Sequence, residues 1–207
     1  MKFLKISLAF LFAVLLLWGA LVLFVPKDAG IFHVVLDPGH GGEDPGAVAG
    51  EIYEKDINLA IALLVRNNLA GQDGIVVSMT RDDDSFLPLT DRTEFANKID
   101  ADLYVSIHAN ALEDETYAGL FTFYHINKRS SKKPAEFIQN AASAATGAIN
   151  RGVRTENYVV LRETDMPAVL VETGFMTCPE ELALLIDAEY QAKMAKGIAD
   201  GILAVIS

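Results

Sequence analysis

The sequence predicts an α/β domain, a sheet with helices on both faces, preceded by one N-terminal transmembrane helix. Three observations carry this. Short runs rich in β-branched and aromatic residues alternate with helix-period segments along residues 31–207. Their order, strand, helix, strand, helix, strand, is that of an α/β sheet. Ahead of them, residues 6–25 form an uncharged apolar run, and about 20 such residues cross a bilayer core of ~30 Å.

The apolar run comes first in the chain. A cleavable signal has a shorter apolar core, roughly 7–15 residues, and small residues at its cleavage site. Trp18-Gly19-Ala20 is a poor match and the run continues past it, so we read an uncleaved anchor, with secretion after cleavage as the alternative. Lys2 and Lys5 precede the span and only Lys27, beside Asp28, closely follows it. The positive-inside rule then leaves the N-terminus cytoplasmic and the rest of the chain on the far side. Residues 1–30 are expected to be anchor and tether, and residues 31–207 one globular domain, a length that buries a core without staples.

Strands are expected at 34–36, 75–79, 103–107, 120–124, 158–161 and 168–171. The first helix starts near Glu54, carries Ile57, Ala60, Ile61, Leu64 and Val65 as one apolar stripe, and stops at Gly71. A second is expected from Asp91, an N-cap with Glu94 three residues on, and others over 133–146, 179–186 and 190–205. The chain carries 28 acidic against 17 basic residues, a net charge of −11, which speaks against nucleic acid or an anionic membrane surface as partner. A single cysteine, Cys178, excludes an intrachain disulfide and a cysteine zinc cluster.

The glycine-rich loop "DPGHGGEDPGA" follows the first strand and invites comparison with nucleotide loops. A dinucleotide fingerprint from Gly39 needs glycine at 44 and meets Asp44; a Walker loop from Gly41 to Gly46 needs lysine next and meets Ala47. Asp37, Glu43 and Asp44 would repel a phosphate. What remains is a sharply turned loop holding one imidazole, His40. "YVSIHAN" ends an apolar strand with His108, "VLVETGF" ends another with Glu172, and "YEKDINLA" opens a helix with Glu54. Strand ends on one edge of a parallel sheet converge, and ligands collect there. Two imidazoles and a carboxylate make a three-ligand catalytic zinc set with one open position, and a second carboxylate can take a proton from water. The contiguous motif His-Glu-x-x-His is absent.

These residues resemble the zinc-dependent N-acetylmuramoyl-L-alanine amidases of the type-3 class. The resemblance rests on "LDPGHGGEDPGA", "EKDINLAIA", "TRDDDSF", "ADLYVSIHANA", "RGVR", "VLRETDMPAVLVETGFMT" and the closing "PEELALLIDAEYQAKMAKGIADGI". It implies a twisted, mostly parallel six-stranded sheet, one Zn²⁺ held by His40, Glu54 and His108, and Glu172 as catalytic carboxylate. It also implies peptidoglycan or muropeptides as substrate, cleaved between N-acetylmuramic acid and L-alanine. The 63 residues between His108 and Glu172 are already filled by a strand, a helix and the "RGVR" turn, so an open cleft is expected. A zinc peptidase trimming stem peptides and a non-catalytic wall-binding module are the alternatives; oligomeric state stays open.

Other residues admit two roles. His33 and His125 are expected to be structural. Asn110 is either a turn residue or an orienting group, and Asp37 either a turn-former or a hydrogen-bond partner of a ligand imidazole. Arg81 and Arg92 are expected to pair with carboxylates of the fold, Arg162 and Glu163 are candidates for the stem-peptide groove, and Cys178 is expected to be a packed thiol.

Overall fold

A computed structural model describes residues 30–207, so the expected span at residues 6–25 lies outside the described residues. Among the described residues no helix is long and apolar enough to cross a membrane. Strand β1 (Phe32–Pro38) leads through a small hairpin, β2 (Val48–Ala49) and β3 (Ile52–Tyr53), into α1 (Glu54–Leu69). Then come β4 (Ile75–Met79), α2 (Leu89–Lys98), β5 (Leu103–Asn110), β6 (Leu120–Tyr124) and α3 (Lys132–Thr146). The chain ends with β7 (Asn150–Thr155), α4 (Val159–Arg162), β8 (Ala168–Phe175), α5 (Pro179–Leu185) and α6 (Ala188–Ile206).

One six-stranded sheet runs in the order β4-β1-β5-β8-β6-β7. Every neighbouring pair is parallel except β6 with β8. Period-2 alternation divides its side chains between two cores. Val34, Leu36, Val105, Ile107, Val169 and Val171 face α1, α3 and α6. Val35, Tyr104, Ala168 and Leu170 face α2 and α4 instead. Both faces are therefore helix-covered, and the near-continuous apolar runs of β1, β5 and β8 follow from that.

Two elements differ from expectation. Residues 158–161 are not a strand: Val159–Arg162 form the single turn α4, with Tyr158 extended as its N-cap. The β-branched pair suggested a strand, but the edge of β6 away from β8 is taken by β7, and Val160 and Leu161 bury against the α2 side instead. The sixth strand is β7, which contains the "RGVR" read as a turn. Its two arginines and Gly152 mask it, yet such residues suit a sheet edge. Helix α2 begins at Leu89 with Pro88 as N-cap, so Asp91 sits inside the first turn rather than capping it. Helix α6 starts two residues earlier than expected because the Asp187 side chain caps it, accepting from the Tyr190 amide at 2.8 Å.

At the C-terminal end of β8 the pairing with β5 slips between His108 and Asn110. The bulge re-aims the strand ends. Buried Glu181 on α5 secures it, accepting from the amides of Phe175 at 2.7 Å and Gly119 at 2.8 Å. Helices α3 and α6 pack at backbone contact: a Cβ on Gly197 would lie 2.5 Å from the Ala142 Cα, and one on Gly201 2.4 Å from the Ile138 Cα. In an isolated helix Gly→Ala gains about 1 kcal/mol. Here overpacking against backbone outweighs that, so Gly201→Ala should lower stability by about 1–3 kcal/mol, measured as a reduced urea midpoint.

Candidate functional site

The loop between β1 and the hairpin has few ladder partners for its carbonyls, and two buried arginines supply them. Arg81 donates to the Pro38, Gly39 and Lys55 carbonyls at 2.8–3.0 Å. Arg92 donates to the carbonyls of Pro38 at 2.8 Å and His40 at 2.7 Å, and to Asp37 Oδ1 at 2.8 Å. Asp37 also accepts from Thr80 and Ser106 at 2.7 Å. Burial opposes ionisation of Asp37, but Arg92 and these hydroxyls hold its carboxyl below the usual carboxylate range. Asp37 therefore fills neither of the two roles weighed for it, turn-former or partner of a ligand imidazole: it lies in β1 and anchors Arg92. Arg92 meets the expectation of a carboxylate partner, whereas Arg81 serves carbonyls.

So clasped, His40 takes a left-handed backbone conformation, φ 61°, strained for a residue with a Cβ. Its imidazole is fixed from both sides. Nδ1 lies 2.8 Å from Asp44 Oδ2 and Nε2 lies 3.1 Å from Glu54 Oε2. Asp44, which the sequence offered only as an argument against phosphate, is the carboxylate that orients this ring. It reaches back because Gly41 and Asp44 exchange backbone hydrogen bonds across the turn.

Glu54 is the first residue of α1, and its carboxylate is surrounded by donors: the Ala47 amide at 2.9 Å on Oε2, and Asn58 Nδ2 at 3.1 Å and the Ala109 amide at 3.2 Å on Oε1. His108 Nδ1 lies 2.8 Å from the same Oε1. Asn58, one helical turn along α1 and fully buried, went unremarked in the sequence; its i, i+4 spacing from Glu54 was the available signal. His40, Glu54 and His108 each bring one ligand atom to within 4.8 Å of the others. Glycine makes the approach feasible, because a Cβ on Gly39 would strike the His108 ring at 2.1 Å and one on Gly46 would strike Glu54 Oε2 at 2.5 Å.

Glu172 pairs with His108 across the β5–β8 ladder and is buried, and among the described residues its Oε2 has no hydrogen-bond partner. Burial drives its carboxyl up to about 7, with Glu54 adding to the rise and His108 and His40 opposing it. Burial disfavours the charged form of His40, but Glu54 and Asp44 outweigh it and raise the imidazole to about 9. The same imidazoles overcome the burial of Glu54 and hold its carboxyl far below the normal range. All four residues line one cleft of about 610 Å³, with Phe86, Leu87 and Tyr158 among its apolar walls, a size suited to a small ligand or part of a larger one.

The remaining candidates divide. His33 bonds Ser78 at 2.9 Å on β4, and His125 borders a separate cavity. Arg162 lines that second cavity and pairs with Glu163 at 2.8 Å, so neither borders the main cleft; Asn157, Tyr158 and Val159 do. Asn110 combines both roles, accepting from the Ala111 amide and lining the cleft. Cys178 is buried at the α5 N-cap, as expected of a packed thiol.

A family profile described as N-acetylmuramoyl-L-alanine amidase matches residues 34–204. The chain is 38% identical over 170 residues to N-acetylmuramoyl-L-alanine amidase LytC of Bacillus subtilis (strain 168), covering 81% of this chain and 34% of LytC. It is 34% identical over 185 residues to the germination-specific N-acetylmuramoyl-L-alanine amidase of the same organism, covering 82% and 78%. The catalytic domain of CwlV from Bacillus (Paenibacillus) polymyxa var. colistinus, an N-acetylmuramoyl-L-alanine amidase, matches with TM-score 0.82 at 41% identity, covering 85% of this chain and 98% of that one. The chain thus spans about a third of LytC and most of the other two.

Two outcomes follow from the geometry. Arg92→Leu leaves Asp37 buried and unpaired, and should cost about 3–5 kcal/mol of stability, read by chemical denaturation. Its carboxylate partners outweigh burial and raise the His40 imidazole to about 9, so a divalent ion such as Zn²⁺ bound through this ring would displace a proton. Affinity should then rise by about tenfold per pH unit between pH 6 and 8, and calorimetry in buffers of different ionisation enthalpy should register the released proton.

Proposed function

We propose, for a chain that belongs to the N-acetylmuramoyl-L-alanine amidase family, that His40, Glu54 and His108 hold one Zn²⁺ and that Glu172 is the general base and acid of amide hydrolysis. The substrate is the bond between the lactyl group of N-acetylmuramic acid and L-alanine of peptidoglycan. The observation that carries this reading is the convergence of the three donor groups within 4.8 Å beside a buried carboxylate oxygen with no partner among the described residues. The donor set fits the ion: two imidazoles and a carboxylate are a catalytic zinc set with a position left open. The orphaned Oε2 of Glu172 is what a proton acceptor awaiting water and substrate requires, since a buried polar atom is otherwise paired.

Zinc when bound supplies positive charge that polarises the amide carbonyl and acidifies the attacking water. The chain's own residues supply the rest. Asp44 keeps the His40 Nδ1 edge engaged, so that Nε2 faces Glu54. Asn58 and the Ala109 amide hold the Glu54 carboxylate in one orientation. Glu172 takes the proton of water at Oε2 and returns it to the departing L-alanine nitrogen. In the metal-free site burial lifts this carboxyl to about 7, and a cation held by the neighbouring ligands would draw it toward the ionised, proton-accepting form. Phe86, Leu87 and Tyr158 give the cleft an apolar wall beside these groups.

The charge pattern around residues 6–25 supports a domain tethered outside the membrane, where peptidoglycan lies. On this reading residues 31–207 are the catalytic domain and residues 1–30 its anchor and tether. Incubation with purified muropeptides should release an intact stem peptide with an L-alanine amino terminus; shortened peptides alone would instead mark a stem peptidase. Glu172→Ala should retain zinc and lose roughly 10²–10⁴-fold in turnover, whereas His108→Ala should lose both, by metal analysis and product chromatography.

A further inference from the structure

Most arginines near the cleft are committed to the fold: Arg81 and Arg92 to loop carbonyls, Arg162 to Glu163 and Asn157. Arg154, the last residue of "RGVR", is different. It is exposed on the edge strand β7 and, among the described residues, its side chain forms no ion pair or hydrogen bond, in a chain with net charge −11. Its guanidinium lies 4.2 Å above the ring of Phe121.

That ring belongs to the catalytic row of the sheet. His108 pairs with Glu172 and Glu172 with Phe121, so the three side chains share one face. Arg154 pairs with Phe123 on the neighbouring ladder and leans back over Phe121. Phe123 in turn packs edge-on against Tyr158, at 5.8 Å, and Tyr158 lines the cleft. An aromatic floor therefore runs from the cleft to the guanidinium. Two strand spacings and the two-residue offset from Phe121 to Phe123 separate the backbones of Arg154 and Glu172 by about 12 Å, the reach of roughly three to four residues of extended peptide. Lying over Phe121, the guanidinium keeps N–H groups available for a carboxylate. Arg151 beside it is more constrained, stacked on Tyr117 at 4.5 Å and donating to the Ala118 carbonyl, and adds to the local positive field.

We propose that Arg154 is a specificity-determining residue that binds a carboxylate of the stem peptide, two or three residues beyond the scissile amide. The assignment rests on the amidase reading and deepens it. The test uses two muramyl peptides that begin L-alanyl-D-glutamyl, one with free carboxylates and one with the same groups as carboxamides. The wild-type protein should cleave the carboxylate form with kcat/KM about tenfold higher, mainly through KM, the range of one charge-assisted hydrogen bond. Arg154→Met, which still covers Phe121, should lose that preference, and Arg154→Lys should keep part of it. Equal cleavage of both peptides by the wild type, or an equal fall on both in Arg154→Met, overturns this assignment alone. Release of stem peptide from neither overturns the amidase reading and this assignment with it.

Discussion

The contact on which the site depends is the buried pair of Arg92 with Asp37, 2% and 1% exposed. A pair that deep returns little net stability, because stripping water from both ions offsets most of their attraction. What it delivers is position. The same guanidinium that Asp37 holds also reaches Leu87, Pro38 and His40 carbonyls, tying α2 to the end of β1 and to the loop beyond it. With Arg81 on the other side, the loop has no freedom to relax the left-handed conformation of His40. Strain at one residue persists because its neighbours over-determine it.

From that fixed loop the rest of the centre assembles by short contacts. The hairpin returns the chain so that Glu54 opens a helix directly under His40, and the Ala47 amide binds the carboxylate it has just delivered. The two glycines that would collide with His108 and Glu54 if they carried a Cβ set how closely the groups meet. Around the centre the carboxylates Asp44, Glu54 and Glu172 face two imidazoles, and the pKa shifts follow: His40 is drawn upward and Glu54 downward, while burial raises Glu172. Such opposed environments for neighbouring carboxyls separate a group held ionised from one able to exchange a proton.

Much of this was legible along the chain, and the failures share a cause. The core strands were found because apolar runs mark them, but they were cut short where polar residues begin: β5 continues through His108 to Asn110, and β8 through Glu172 to Phe175. Strand β7 escaped notice because an edge strand needs neither an apolar face nor high β-propensity. The β-branched valines of helix α4 fit a strand equally well, and four residues carry too little periodicity to decide. In the site, His40, Glu54, His108 and Glu172 were identified by residue type, position and resemblance. Asp44 and Asn58 were passed over because a short polar residue in a loop or helix looks alike whether solvated or engaged. The partner of Asp37 is not legible, since nothing local reveals an arginine 55 positions away.

The sequence by itself determined the fold class, the alternation of β-rich and helical segments, the loop that presents one imidazole, and the residue types able to hold a metal. These are properties of local periodicity and backbone permissiveness, which neighbouring residues encode. Only the tertiary structure decided which strand forms the sheet edge, which carboxylate orients His40, and which cation pins its loop. Those choices depend on cross-strand register and on buried charges finding partners far along the chain, and that selection is made only when the sheet closes and water is excluded.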